Sequence, residues 1–423
     1  MDIQHRLNDE ATQAFVVGHR VDNVRLLALM ADKFPDVDMP WALQQIAGWQ
    51  IARQKLPSWA TIEGIAYPPH LSMEQCSSEQ TAKWKAIDNL QLIVDKSTST
   101  APLPLNGLKK QGLLIDLTGG FGVDFSFMAR NFKWAVYVER QEELCAIARH
   151  NFHLLGLSHA EVVCGDGVEY LHQMEEHATV IYLDPARRNE HGGKTYAISD
   201  CTPDVVSLRE ELLKKADFIV VKLSPMLDWR EAVRLLPAQF IEVRIVSVGN
   251  ECKELLLVLS DVVAAPLRVV CINDNEVFAT GSAATQAKTY EGSLSLSSGP
   301  LFLYEPNASI MKAGCFAELC EAFDVEAVAE NSHLFISPDF IENFPGRKFQ
   351  ITAISSMNKK QLKQTLQGIT RANISVRNFP LTAQQLRQRL RLKDGGDTYI
   401  FGTTTREGDH LLLVCCKKDD LTK

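Results

Sequence analysis

Several short apolar runs end in residues that can grip a ligand. Leu113-Leu114-Ile115 ends in Asp116, Trp134-Ala135-Val136-Tyr137-Val138 in Glu139 and Arg140, and Val162-Val163-Cys164-Gly165 in Asp166. Val180-Ile181-Tyr182-Leu183 runs into Asp184-Pro185-Ala186-Arg187-Arg188, and Phe218-Ile219-Val220-Val221 into Lys222. Between the first two acids stands Thr118-Gly119-Gly120-Phe121-Gly122-Val123-Asp124. Glycine lacks a Cβ, so Gly119, Gly120 and Gly122 permit a sharp turn and close approach of a ligand to the main chain. The helix that follows offers unpaired N–H groups at its start. Glu139, 19 residues after Gly120, can accept hydrogen bonds from ribose hydroxyls. At Asp184-Pro185, a carboxylate and a proline-fixed carbonyl can orient an exocyclic amine. The Arg187 guanidinium can stack on a base or hold a phosphate, and Lys222 can meet a phosphate or carbonyl oxygen.

These residues need an open parallel sheet to bring them together. Short apolar strands alternating with helical segments give one, and ligands bind at the carboxyl edge of such a sheet, where Asp116, Glu139, Asp166 and Asp184 converge. Residues 141–155 supply the crossover helix that a right-handed connection needs. The sheet is expected to finish with 243–248, a turn at Gly249-Asn250, and an antiparallel strand over 254–259. Ahead of it, residues 22–31 and 41–55 have helical spacing, and a third helix is read from a capping box at Ser72 and Gln75 toward Val94. Residues 74–82 are unusually polar and read either as an N-capped turn facing solvent or as a helix that can close over the ligand at the sheet edge, while Ser97 to Pro104 has the composition of a linker. The glycine-rich loop 189–194, with His191 and Lys194, falls on the substrate side. Beyond the sheet come a hairpin over 267–280, a strand at 301–305 and one helix through 308–323.

The stretch from about 113 to 259 resembles a class I S-adenosylmethionine-dependent methyltransferase. A dinucleotide site fits less well, since Phe125 stands where its third glycine would be. By this resemblance Asp116, Thr118, Gly119, Gly120, Gly122 and Asp124 hold the methionine end of S-adenosylmethionine, Glu139 the ribose and Asp166 the adenine edge, with Arg140 flanking the adenosine. Asp184, Pro185, Arg187 and Lys222 would then face the acceptor. Amino-methylating relatives carry a second proline and an aromatic where this chain has Ala186 and Arg187. No cysteine stands beside Asp184 or Lys222, which disfavours thiolate-assisted methylation of a pyrimidine carbon.

The chain has 423 residues, 46% of them hydrophobic and 23% charged, which is ordinary for a globular protein of two to four domains. No apolar run approaches a membrane span. The polar, acidic N-terminus is unlike a signal peptide, so a cytoplasmic location is expected. The ten cysteines are scattered without a C-x-x-C pair and the eleven histidines lack zinc spacing, so they read as reduced core residues and no metal site is expected. The net charge of −8 divides unevenly. Residues 341–423 hold 15 Lys and Arg against 7 Asp and Glu, a net of +8, leaving −16 on the rest. Such a basic module on an acidic body is the asymmetry expected of a segment that contacts nucleic-acid phosphates.

From about residue 331 onward the chain resembles the THUMP-like C-terminal domain of a family of bacterial class I methyltransferases. Phe344-Pro345-Gly346-Arg347, Ala372-Asn373-Ile374-Ser375-Val376-Arg377-Asn378-Phe379-Pro380 and Leu390-Arg391-Leu392-Lys393-Asp394-Gly395-Gly396-Asp397 carry the likeness, with Tyr304-Glu305-Pro306-Asn307-Ala308-Ser309 ahead of them. The expected architecture is α/β: a helical N-terminal domain over 1–105, a Rossmann-like methyltransferase core over 106–265, a small ferredoxin-like module over 266–330, and a basic α+β THUMP-like domain over 331–423. The expected activity is methyl transfer from S-adenosylmethionine to an RNA base or ribose. A small-molecule methyltransferase and a non-catalytic RNA-binding protein that retains the fold are the alternatives.

Overall fold

Four parallel apolar strands and their crossover helices build the framework. They are β1 (Leu113–Asp116), β2 (Trp134–Glu139), β3 (Ala160–Cys164) and β4 (Ala178–Leu183). The short β5 (Ala186–Arg187) and β6 (Cys201–Thr202) pair with each other, and then come β7 (Ala216–Leu223), β8 (Phe240–Val248) and β9 (Glu251–Ser260). The computed structural model describes residues 3–86, 112–187, 198, 201–262, 266–281, 286–292, 294–297 and 299–417. Two units emerge, one of Met1–Val248 with Lys253–Arg268, the other of Gly249–Cys252 with Val269–Lys423.

In the first unit the strands lie in the order β8-β9-β7-β4-β1-β2-β3. β4, β1, β2 and β3 run parallel, as do β4 and β7, whereas β9 is antiparallel to β7. The central strands are apolar almost throughout because helices cover both faces. Gly249 and Asn250 close the β8–β9 hairpin with φ of 58° and 62°, the left-handed pair that a two-residue turn requires. The carboxyl ends of β1, β4 and β7 therefore lie side by side, and strand register puts Asp116, Tyr182 and Val220 on one face.

The N-terminal helices are built onto this sheet. Asn23 caps Val24–Ala28, and Asp38 caps Met39–Lys55, with a proline in its first turn. The helix expected from Ser72 is instead two. Pro69 starts His70–Gln75, Cys76 and Ser77 leave the helix, and Ser78 caps Glu79–Lys85 by accepting from Thr81 N. Ser72 is an interior residue of the first piece, so the capping box there is not formed. Leu56, Trp59, Tyr67, Met73 and Ala82 share one apolar cluster with Leu114, Phe125, Tyr137, Phe152 and Tyr182. The far end of the expected third helix, the linker 97–104 and the loop 189–194 fall outside the described residues.

The second unit begins with the hairpin β10 (Arg268–Asn273) and β11 (Glu276–Gly281). Its main sheet uses β12 (Phe302–Pro306), β13 (Glu326–Ala327), β14 (Phe335–Ser337), β15 (Gly346–Ser356), β16 (Asn373–Arg377), β17 (Tyr399–Thr404) and β18 (His410–Cys416), ordered β13-β14-β12-β15-β18-β17-β16. The single helix expected over 308–323 is broken. Gly314, at φ 68°, ends Ala308–Ala313, and Phe316–Phe323 follows. Among the described residues no helix is long and apolar enough to cross a membrane.

One side chain fastens the N-terminal segment to the sheet layer. Asn151, in the helix Glu142–Leu154, accepts from Ala66 N at 2.9 Å and donates to Ala66 O at 2.8 Å, all buried. Asn151→Ala strands both groups, and each buried polar group left unpaired costs about 1–3 kcal/mol. Urea unfolding should show a loss in that range or above, and an unchanged midpoint would mean the segment is held elsewhere.

Candidate active site

The glycine turn after β1 is shaped by the aromatic residues beneath it. Phe125, Tyr137 and Phe152 pack within 5.0–5.6 Å of one another, centroid to centroid. A Cβ on Gly119 would lie 2.2 Å from the Tyr137 ring, so the loop can settle there only without a side chain. Gly120 has open space around it but a φ of 56°, and its requirement is conformational. Tyr137 donates its hydroxyl to Gly120 O. Glu139 is clamped from both sides: Gly120 N donates to Oε2 and Gln141 N to Oε1, each at 2.9 Å. Each oxygen keeps a lone pair for a further donor.

Asp116 is 1% exposed at the end of β1. It accepts from Thr118 N at 2.9 Å and from Thr118 Oγ1 at 3.3 Å, and no cation pairs with it among the described residues. Burial pushes its carboxyl up to about 8, the Thr118 amide working against this and the charges of Asp124 and Asp184 adding to it. Thr118 Oγ1 also accepts from Asp184 N at 2.6 Å, which ties the glycine turn to the end of β4.

Under the sheet edge lies a buried charge cluster. Lys85 Nζ contacts Asp124 Oδ1 at 3.0 Å, Ser77 Oγ at 2.9 Å and Glu254 Oε2 at 2.7 Å. Lys222 Nζ contacts Asp184 Oδ2 at 2.6 Å and Ser77 Oγ at 3.1 Å, with Asp124 Oδ2 at 3.5 Å. Ser77 and Tyr182 each donate to Asp124 Oδ2 at 2.8 Å. Burial opposes ionisation of Asp124, but Lys85 and Lys222 outweigh it and hold the carboxyl below its ordinary range. Burial likewise disfavours the Lys222 ammonium, and Asp184, Asp124 and Glu254 overcome it, so the lysine stays charged. Glu254 is pushed up by burial, with Lys85 and Lys222 pulling the other way, and its Oε1 has no hydrogen-bond partner among the described residues.

On the far side of the turn, Asp166 caps the helix Gly167–Gln173 with Oδ1, accepting from Val168 N and Glu169 N. Its Oδ2 stands 3.8 Å from Arg140, which is mostly exposed. A Cβ on Gly167 would meet Leu117 O at 2.0 Å, so this glycine brings the Asp166 turn against the end of β1. Asp116, Thr118, Gly119, Gly120, Gly122, Asp124, Glu139, Asp184 and Lys222 thus form one connected site, with Arg140 and Asp166 as a separate pair at its rim. Pro185 is buried, Arg187 is placed only as a β5 residue, and Arg188 lies outside the described residues.

Sequence reasoning missed Ser77, Lys85, Tyr182 and Glu254. The segment 74–82 is not the solvent-facing turn expected, since Ser77, Glu79 and Thr81 are buried. One signal was present: Glu254 opens the apolar run Leu255-Leu256-Leu257-Val258, and an acid there needs a buried cation.

A crystal structure of a candidate methyltransferase from Porphyromonas gingivalis W83 is 30% identical, covers 99% of each chain and superposes with a TM-score of 0.82. Residues 346–417 match a THUMP domain-like family and residues 302–345 a ferredoxin-like domain family. The chain belongs to the class I methyltransferases that carry a C-terminal THUMP-like domain. More distant is a candidate methyltransferase of Streptococcus mutans solved in complex with SAH (14% identity, 36% of this chain and 90% of that one, TM-score 0.27). A SAM-dependent methyltransferase of Agrobacterium tumefaciens stands similarly far (16% identity, 46% and 65%, TM-score 0.31). No curated protein matches.

Lys85→Met should be strongly destabilising. It leaves Glu254 and part of Asp124 buried without their cation, a loss of about 3–5 kcal/mol for a broken buried pair. The double variant Lys85→Met/Glu254→Leu should recover much of that loss in chemical denaturation. Equal instability of the two would show that the lysine acts through packing alone.

Proposed function

We propose that the protein transfers a methyl group from S-adenosylmethionine to an RNA base or ribose, in the cytoplasm, where its free thiols would stay reduced. The observation that carries the reading is Asp116, a buried carboxyl group beside an open glycine turn, with no cation paired to it among the described residues. The donor's α-ammonium can donate to this carboxyl and balance its charge. Glu139, fixed by two backbone amides and still able to accept, fits a ribose diol. The Gly119–Gly122 turn would carry the methionine end, with Asp166 and Arg140 at the adenine edge.

S-adenosylmethionine supplies a methyl group already activated by its sulfonium, so this chain's residues have chiefly to bind and orient. Asp184 is suited to hold the acceptor. Lys222 and Thr118 fix the residue, and Oδ1 has no partner among the described residues. That oxygen can accept a hydrogen bond from an acceptor N–H or O–H and aim its lone pair. Arg187 follows where amino-methylating relatives place an aromatic, and would stack on or ion-pair with the acceptor. The RNA part rests on the +8 charge of residues 341–423 and on the THUMP-like segment among them.

Nucleosides from RNA incubated with the protein and isotope-labelled donor should gain one methyl mark by mass spectrometry. Labelling of small molecules alone would remove the RNA reading. Glu139→Ala should lose about 1.5–3 kcal/mol of donor affinity per charged hydrogen bond in calorimetry. Asp184→Ala should lower turnover much more than donor affinity, with Asp184→Asn milder; equal damage would give the carboxylate a role in proton transfer.

Asp116 adds a pH signature. With its carboxyl pushed up to about 8, it carries a proton at neutral pH, and an arriving ammonium must displace it. Donor affinity should therefore rise as pH climbs toward about 8, with proton release visible in buffers of different ionisation enthalpy, and fall again where the donor's own ammonium deprotonates. Asp116→Asn should flatten the profile. Wild-type binding without proton release would separate Asp116 from the ammonium.

A further inference from the structure

Three of the sequence stretches that carry the THUMP-like resemblance meet at one side chain far from any role assigned so far. Glu305, from β12, is 4% exposed at its side chain and is held between two arginines. Arg347, its cross-strand neighbour on β15, donates from Nε to Oε2 at 2.6 Å and pairs through Nη2 as well. Arg377, at the end of β16, donates from Nη2 at 2.8 Å and from Nε at 3.2 Å to Oε1. β16 stands four strand spacings from β12, about 19 Å in a flat sheet. The contact across that separation implies that the sheet coils and draws its edge strand toward β12.

The local backbone is shaped for this meeting. Gly346 has a φ of 149°, and a Cβ there would lie 2.3 Å from Glu305 O, so only glycine lets β15 come this close beside Arg347. The Arg347 guanidinium also rests 5.7 Å from the Phe349 ring and 5.9 Å from that of Phe401, which restrains its plane.

One carboxylate needs one guanidinium, and here two are supplied. Both arginines spend the Nε/Nη2 edge on Glu305, and neither Nη1 has a partner among the described residues. Their side chains are 43% and 37% exposed. Nearby His333 adds no charge, because burial and then the Arg377 charge hold its ring below the usual histidine range. The result is a fixed pair of forks with one net positive charge, open to solvent. Planar forks of this kind match the oxygens of a phosphate.

We propose that Arg347 and Arg377, splayed and held by Glu305, form a binding site for a backbone phosphate of an RNA strand. This rests on the RNA reading above and gives it an address. Glu305 is the positioning residue; the two arginines touch the ligand.

The test uses the full chain and fluorescein-labelled oligouridylate titrated over a range of salt. Arg347→Gln and Arg377→Gln should each weaken binding several-fold and make the log–log salt dependence shallower by about 0.7, the value for one contact on a single strand. Affinity for S-adenosylmethionine, read by calorimetry on the same samples, should not change. Each single variant leaves Glu305 one arginine. If Arg347→Gln still unfolds, Glu305→Gln/Arg347→Gln removes the stranded charge and should show the same shallower slope. Folded variants with wild-type affinity and slope would overturn the site and leave the arginines as structural ties, with the RNA reading intact. A wild-type protein that binds donor but no oligouridylate would overturn the RNA reading and the site together. Inorganic phosphate bound by the wild type and lost in the variants, with oligouridylate unaffected, would overturn the assignment to a nucleic-acid strand.

Discussion

Two lysine ammonium groups buried at the edge of a parallel sheet constrain everything around them. A charge taken out of water is tolerable only when opposite charges and hydrogen bonds surround it closely. Lys85 and Lys222 therefore dictate where Asp124, Glu254, Asp184 and Ser77 must stand. Each partner comes from a different element, so the cluster fixes the relative positions of the N-terminal helix, the helix after the glycine turn, and the strands β4, β7 and β9.

The cleft inherits its geometry from that floor. Asp124 sits in the first turn of the helix Val123–Ala129, so anchoring it anchors the glycine turn that enters the helix. Asp184 is held from below by Lys222 and from the side by Thr118, which also bonds Asp116. The turn beneath the proposed donor and the carboxylate beside the proposed acceptor are thus linked by one threonine. Glu139 joins the same turn through Gly120. Preorganisation of this kind is what a reaction limited by orientation requires.

What could be read in the chain alone follows the reach of each interaction. Strand ends, the glycine turn, the antiparallel β9 and the basic tail are local in sequence, and periodicity or composition reveals them. Asp116, Glu139 and Asp184 were legible because a parallel sheet always delivers strand ends to one edge. Ser77 and Lys85 were not, since their partners are remote and a polar segment looks solvated until something covers it. The helix break at Ser77-Ser78 was missed for the same reason: Ser72 offers as good a cap locally, and only the buried bonds of Ser77 favour the second start. Gly314 likewise sits in an unbroken helical pattern, and only its left-handed φ of 68° marks the break between two helices.

Ser77 and Lys222 are 145 residues apart, and a chain emerging from the ribosome makes the serine and Lys85 long before their partners on β7 and β9. During that interval Lys85 can reach Asp124 but not Glu254, so its ammonium is only partly paired. Lys85 therefore waits for its second carboxylate while about 170 further residues are made, on the order of ten to thirty seconds at about 5–20 residues per second. Synthesis of β9 then adds Glu254 to the ties already offered by Asn151 and Asp124, and a chain that stops ahead of β9 lacks that carboxylate. Full pairing of the lysine on the N-terminal helix and completion of the sheet thus depend on the same late stretch of chain.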